Sequence, residues 1–509
     1  MHEQLVLLPR LLTAHLALSL FSLLVGVCIS VPLGALASRS PWPGRLLLSG
    51  AAGVQTIPAL ALLALMVPLL DGLGWTSIGF LPAFIALVLY TVLPVLRNTV
   101  TGLNSLSPSV LEAARGVGMD GWQQLVRVEL PLALPVIVAG IRTACVWTVG
   151  AATLATPVGA DSLGNFIFAG LQTRNSSAVL VGCFGAAALA LCLDGLGKLL
   201  LVGIERRLRW LTLLALSAFA VLYAYAGGAL VLQAQGAPRI VVGAKTFTEQ
   251  YILAELLAEH VLQTTGKPAR VQASLGSSIA FDALVSDSID VYVDYSGTIW
   301  ATVMHRTEVP RDRKHMLGEI EQYLRTTYGV TLVTELGFEN SYALAMRRER
   351  AEQLAVRRIG DVARVSAELS IGGDYELFAR PEWAALQRVY QLQFREQRAM
   401  DPSLMYRAVA TGAVDVVGAF STDGRIAAYD LVVLEDEREV IPPYDAIVLA
   451  GPRLASAHPE VVAALRGLAG SIQDEEMRRL NLAVDVQQRS IAEVAAEHLK
   501  RLRAGRPTP

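Results

Sequence analysis

The chain has 509 residues, 53% of them hydrophobic and 17% charged, with a formal net charge of −2. That is too apolar for an ordinary soluble protein and too charged for one lying wholly in a bilayer. A charge this close to zero also leaves no electrostatic footprint for nucleic acid. Cys28, Cys145, Cys183 and Cys192 all fall in apolar runs. No disulfide framework or metal-ligand spacing is expected, and each reads as a small buried membrane residue.

The average conceals two halves. Up to about Leu232 the sequence is long apolar runs with sparse charge; from Pro238 onward it is mixed and globular. Leu16 to Leu36, Leu46 to Leu70, Phe80 to Leu96 and Trp210 to Leu232 carry no charge and are about long enough to cross a bilayer. Pro131 to about Leu154 and Ala178 to about Val202 complete six spans. Pro32, Pro58, Pro82 and Pro94 are tolerable inside them, because bundled helices re-satisfy freed backbone groups. The first run is not read as a signal peptide, since no basic region precedes it and five more runs follow.

Loop charge sets the orientation. Arg39, Arg45, Arg97, Arg115, Arg127, Arg206, Arg207 and Arg209 lie in one set of loops, against little beyond Arg10 and Arg174 in the other. The positive-inside rule places the first set in the cytoplasm. The N-terminus and everything after Pro238 are therefore expected outside. Asp194 and Lys198, four apart on one helix face, can pair. Arg142 lies a few turns into the fourth span; intramembrane charges such as these either snorkel or pair locally near the cytoplasmic end or line the translocation path, and the first is the expectation.

The long cytoplasmic loop, about 105–131, reads Leu111-Glu112-Ala113-Ala114-Arg115-Gly116-Val117-Gly118, then Val128-Glu129-Leu130-Pro131. A short helix with small residues can lie close against a partner, and a glycine turn redirects the chain into the next span. The segment resembles the coupling loop of ABC-importer permeases, with Val128 where Ile is usual. The later Gly159-Ala160-Asp161-Ser162-Leu163-Gly164 resembles the same family's outer-loop segment. The resemblance implies that Glu112, Ala113, Ala114 and Gly118 dock in a groove of a cytoplasmic ABC ATPase. It also implies a multi-pass protein of the inner membrane, a permease homodimer and two ATPase copies. No ATPase is encoded here: Gly243-Ala244-Lys245-Thr246 and Gly197-Lys198-Leu199 lack the phosphate-loop spacing.

Beyond Pro238, Arg239 to Ala244, Ala269 to Leu275, Val291 to Tyr295, Tyr342 to Met346, Val414 to Phe420 and Ala446 to Ala450 read as strands. Helical patterns lie between them, as in Glu249 to Val261. The alternation predicts α/β lobes with largely parallel sheets and a ligand cleft at the strands' carboxyl ends. Thr246 to Glu249 has capping-box spacing.

Gly243-Ala244-Lys245-Thr246-Phe247-Thr248-Glu249-Gln250 opens a series of motifs. It continues through Leu275-Gly276-Ser277-Ser278, Asp294-Tyr295-Ser296-Gly297-Thr298 and Asn340-Ser341-Tyr342-Ala343-Leu344. It ends at Ala419-Phe420-Ser421-Thr422-Asp423-Gly424-Arg425 and Pro442-Pro443-Tyr444. In this order they resemble osmoprotectant-binding proteins for choline, carnitine and glycine betaine. The architecture is similar also to ergothioneine permease–receptor fusions.

The expected fold is thus a six-helix membrane permease over 1–237, followed by a two-lobed α/β periplasmic-binding-protein-like domain over 238–509. Lobe I is implied at about 238–341 and 445–509, lobe II at about 342–444. A quaternary ammonium offers no hydrogen-bond donor, so its site must use aromatic faces. The resemblance implies a box of Tyr295, Tyr342, Phe420 and Tyr444 around that cation, with Gln250, Ser278 and Thr298 holding the ligand's polar end. Phe420 stands where Tyr is common. No cofactor, metal or catalytic residue is expected. A ligand-gated channel or sensory receptor would need no coupling loop, and no hydrolase elbow or dinucleotide fingerprint points to an enzyme.

Overall fold

The structure is a computed structural model that describes residues 2–173, 175–235, 239–306 and 313–505. Arg174, one of the loop charges, lies outside the described residues. The chain separates into two compact units, one of Met1–Phe168 with Ser177–Ala237, the other of Ala169–Ser176 with Pro238–Pro509.

The first unit is helical: α1 (His2–Arg39), α2 (Pro41–Thr56), α3 (Ala59–Asp71), α4 (Phe80–Asn104), α5 (Pro108–Gly116), α6 (Gly121–Gln124), α7 (Leu130–Ala152), α8 (Gly164–Gln172), α9 (Ser176–Glu205) and α10 (Arg209–Gln235). Among the described residues, five helices are long and apolar enough to cross a membrane. The second expected span is not one straight helix: its halves, Gly44–Thr56 and Ala59–Asp71, meet at 99°. Pro58 causes the break, since it lacks an N–H and drives Ile57 into extended backbone (φ −71°, ψ 127°). Counting that bent pair as one span gives six. Pro32 and Pro94 instead sit inside continuous helices, where the Asn98 amide donates to the Pro94 carbonyl at 2.8 Å.

Leu16, Leu20 and Leu23 of α1 pack with Val95 of α4, Ala144 and Val149 of α7 and Leu193 of α9. Close approach depends on small residues, as in membrane bundles generally. A Cβ on Gly140 would lie 2.9 Å from the Pro94 carbonyl oxygen. The intramembrane charges pair differently from expectation. Arg142 of α7 grips Asp194 of α9 by two hydrogen bonds of 3.1 and 3.0 Å, and Lys198 points outward, exposed. Gly197 leaves room for the Arg142 stem, because a Cβ there would come within 2.7 Å of Arg142 Cγ. A bidentate partner on the facing helix satisfies Asp194 better than a flexible lysine one turn away. The cysteines are free; Cys145 is buried, whereas Cys28, Cys183 and Cys192 lie on exposed helix faces.

The second unit holds two five-stranded sheets. Its strands are β1 (Ile240–Lys245), β2 (Ala269–Leu275), β3 (Val291–Tyr295), β4 (Thr331–Glu339), β5 (Tyr342–Arg347), β6 (Ser370–Gly373), β7 (Glu396–Ala399), β8 (Val416–Phe420), β9 (Leu431–Val433) and β10 (Asp445–Ala450). They run in the orders β2-β1-β3-β10-β4 and β7-β6-β8-β5-β9. The sheets are mixed, not largely parallel: β10 is antiparallel to β3 and β4, and β5 to β8 and β9. Helical crossovers give parallel neighbours, but β5 and β10 enter directly from the other sheet and so arrive reversed.

β1, β3 and β10 are buried along their whole length. α11 (Thr248–Thr265) lays Ile252, Leu253, Leu256, Leu257 and Val261 onto that core. The second sheet has its own core of Leu344, Met346, Ile371, Trp383, Leu386 and Val416.

Candidate ligand-binding site and coupling segment

The carboxyl ends of β1, β3 and β8 and the amino ends of β5 and β10 converge at one edge, where the predicted aromatic residues gather. Tyr295 closes β3 and Tyr444 immediately precedes β10. Antiparallel pairing of β5 with β8 sets Tyr342 directly opposite Phe420. Their ring centroids are 5.1 Å apart, and Tyr342 meets Tyr444 edge-on at 5.8 Å. Phe247, just before α11, stacks on both Tyr295 and Phe420 at 6.2 Å. Phe247, which nothing in the sequence singles out as a site residue, joins the four predicted rings into one cluster. Gly297 supports it from below: a Cβ there would lie 2.7 Å from Cε1 and Cζ of Tyr444.

Three polar features surround these rings. Behind Tyr295, Glu249 is buried and accepts from the Tyr295 phenol, from Asn340 at 2.9 Å, Thr422 at 2.5 Å and Asn481 at 3.1 Å. Burial holds this carboxyl above the usual carboxylate range, and the four donors pull it only part of the way back. The Tyr295 phenol is pushed well above its usual range by burial and by the Glu249 charge. The capping box expected from Thr246 to Glu249 does not form; Phe247 occupies the N-cap without a side-chain bond. Glu249 turns instead to four donors from distant segments, which satisfy a buried carboxylate better than one amide would.

On the other side, Arg380 is buried with its guanidinium 5.2 Å from the Tyr342 centroid and 5.9 Å from that of Tyr444. It donates to the Tyr444 hydroxyl at 3.2 Å and pairs with Glu376. Its Nε has no partner among the described residues. The Tyr444 phenol donates to Glu382 at 2.6 Å. Third, Lys245 and Asp294 form a buried pair at 2.5 Å, and Asp294 also accepts from the Tyr295 amide at 2.8 Å, fixing the end of β3.

Of the residues expected at the polar end, Gln250 is buried and already engaged. Its amide nitrogen donates to the Tyr295 hydroxyl at 3.2 Å and its oxygen accepts from the Lys245 amide at 3.4 Å. Thr298 is buried one turn beyond Tyr295. The side chain of Ser278 lies outside what is described.

The predicted coupling segment is a separate feature. Glu112 and Ala113 of α5 are exposed, and Ala114 is buried beneath them. α5 ends in a left-handed turn at Gly118 (φ 84°). The Gly118 and Met119 amides donate back to the carbonyls of Arg115 at 2.9 Å and Ala114 at 3.2 Å, a Schellman closure. Asp120 then opens α6 with a reciprocal capping box to Gln123. Glu129, buried where α7 begins, accepts from Gln124 at 2.7 Å and from Arg39 of α1 at 2.9 Å. Val117 and Trp122 are exposed alongside.

Membrane helices followed by two sheets that share an aromatic, charge-flanked site define a permease fused to a substrate receptor. Residues 30–210 match the binding-protein-dependent transport system inner membrane component, and residues 238–501 the substrate binding domain of ABC-type glycine betaine transport system. The chain belongs to this family of ABC importers, as a transport subunit of the inner membrane and not an enzyme. It is 30% identical over 465 residues to the ergothioneine transport permease/ergothioneine binding protein of Helicobacter pylori, covering 88% of this chain and 82% of that one. Its permease part is 40% identical over 180 residues to the glycine betaine/carnitine/choline transport system permease protein of Bacillus subtilis, covering 35% of this chain and 80% of the relative. Its receptor part is 29% identical over 264 residues to the carnitine transport binding protein of Listeria monocytogenes, covering 51% and 85%. Among solved structures, a glycine betaine/carnitine/choline ABC transporter aligns with a TM-score of 0.47 at 31% identity, over 52% of this chain and 98% of that one.

Proposed function

We propose that the chain captures and imports a zwitterionic betaine: a quaternary ammonium that also carries a carboxylate. The observation that carries this reading is the ring cluster with a buried guanidinium against two of its members. Tyr295, Tyr342, Phe420 and Tyr444, with Phe247, supply faces for the cation, each worth roughly 0.5 to 2 kcal/mol. Arg380, with an unpartnered Nε, supplies charge and donors for the carboxylate. Gln250 and Thr298 form the polar wall on the Tyr295 side, Gln250 acting through Tyr295, and Ser278 joins the proposed set through the motif it occupies. The receptor comprises residues 238–509 and closes between lobes at about 238–341 with 445–509 and 342–444.

In the same proposal, Glu112, Ala113, Ala114 and Gly118 present α5 to a separate cytoplasmic ATPase. Two ATPase copies serve a homodimer of the chain, and the N-terminus and the receptor lie outside. The test is calorimetric titration of the full chain in nanodiscs. Glycine betaine and carnitine are expected to outbind choline, which lacks the carboxylate, and Arg380→Gln to remove the difference. Equal binding of choline by the unaltered chain would sink the carboxylate assignment.

A second reading follows from the Helicobacter pylori relative, which shares both parts in the same order. Ergothioneine also combines a trimethylammonium with a carboxylate, and the same titration ranks it against the smaller betaines.

A further inference from the structure

Box tyrosines are usually credited with their faces alone, but two of these phenols are wired to buried carboxylates. Tyr444 donates to Glu382 at 2.6 Å, and there Arg380 stands close by, 3.8 Å from the same carboxylate oxygen, offsetting the charge. Tyr295 donates to Glu249, where the other three donors are neutral: Asn340, Thr422 and Asn481. Among the described residues, no lysine, arginine or histidine pairs with Glu249. A phenol whose proton leans on an uncompensated carboxylate is more electron-rich across its ring, and cation–π attraction follows ring electron density.

We infer that Glu249 is the residue that makes this site select a cation over a neutral group of the same shape, acting as a positioning and polarising residue through the Tyr295 phenol. The inference rests on the proposed ammonium box and adds to it one residue that the ligand does not touch. Glu249 has a mechanical role too, since its donors come from β3, the β4–β5 crossing, the turn after β8 and the helix Asp474–Asp485. A purely mechanical role would affect every ligand alike; polarisation affects only the charged one.

The test therefore uses a matched pair of probes, glycine betaine and 3,3-dimethylbutanoate, which replaces the ammonium nitrogen by carbon and keeps the carboxylate. Both are titrated calorimetrically into the full chain in nanodiscs. Glu249→Gln is expected to cut the betaine-to-isostere affinity ratio about tenfold, the scale of one cation–π contact at a desolvated site. Tyr295→Phe, which leaves ring and carboxylate in place but removes the link, is expected to cut it similarly. The double variant should lose little more than either single one, because both break the same path. If Glu249→Gln fails to fold, Tyr295→Phe decides: an unchanged ratio overturns the inference. An equal loss of both probes in Glu249→Gln also overturns it, leaving a hinge pin. A wild-type chain that binds both probes equally would overturn the ammonium box itself, a result distinct from these.

Discussion

Gly297→Ala tests the box most directly, because the perturbation can be sized from the geometry. The new methyl carbon would stand 2.7 Å from two Tyr444 ring carbons and 2.8 Å from a third. Comfortable carbon–carbon contact is about 3.5 to 4.0 Å, so ring or backbone must yield by about 1 Å. The backbone is held on both sides: Ser296 Oγ donates to the Pro443 carbonyl at 3.0 Å and accepts from the Asp445 amide at 2.9 Å. The ring therefore moves, pulling on its contacts with Tyr342 and Glu382. That ring is buried and held by Glu382 and Arg380, so moving it costs stability even without ligand. With ligand it must return, and overpacking of this kind costs about 1 to 3 kcal/mol. Calorimetry with glycine betaine on the full chain is expected to show affinity falling at least about fivefold, alongside a lowered unliganded melting temperature. Unaltered affinity would show that the Tyr444 face is not part of the ligand wall.

Two further outcomes concern the membrane unit. Gly118→Val puts a β-branched residue at φ 84°, costing at least about 1 to 2 kcal/mol in the turn that ends α5; transport in proteoliposomes with the ATPase should collapse while betaine titration is unchanged, and full transport would refute the coupling assignment. With native cysteines replaced, a membrane-impermeant thiol reagent on intact cells should label Ala367→Cys and not Ser107→Cys, both at exposed positions; the opposite pattern would reverse the orientation.

Legibility varied with how local each signal is. β1, β3 and β10 stood out as short apolar runs because both sheet faces are covered. β7 is an exposed edge strand, Glu396–Ala399, and β6 ends in Gly372 and Gly373; neither has the composition of a strand, and neighbouring strands alone hold them there. The break at Pro58 has no mark in the sequence, because a proline in a span either kinks it or is absorbed, and packing decides which. The four rings were found only through the motifs around them. Arg380 lies outside every motif and meets Tyr444 across 64 residues of chain. Glu249 had a local explanation, a helix cap, that its real partners overrode; those partners are brought to it by the fold and leave no spacing to read.

α10 ends at Gln235 and β1 begins at Ile240, so receptor and permease are one polypeptide. A free receptor reaches its permease by diffusion and can be made in excess; a tethered one meets it at an effective concentration of about millimolar whatever the expression level. The docking surface can then be weak without losing occupancy. Cells making this chain cannot raise uptake by adding receptor alone, and scavenging at very low solute levels depends on the receptor's intrinsic affinity.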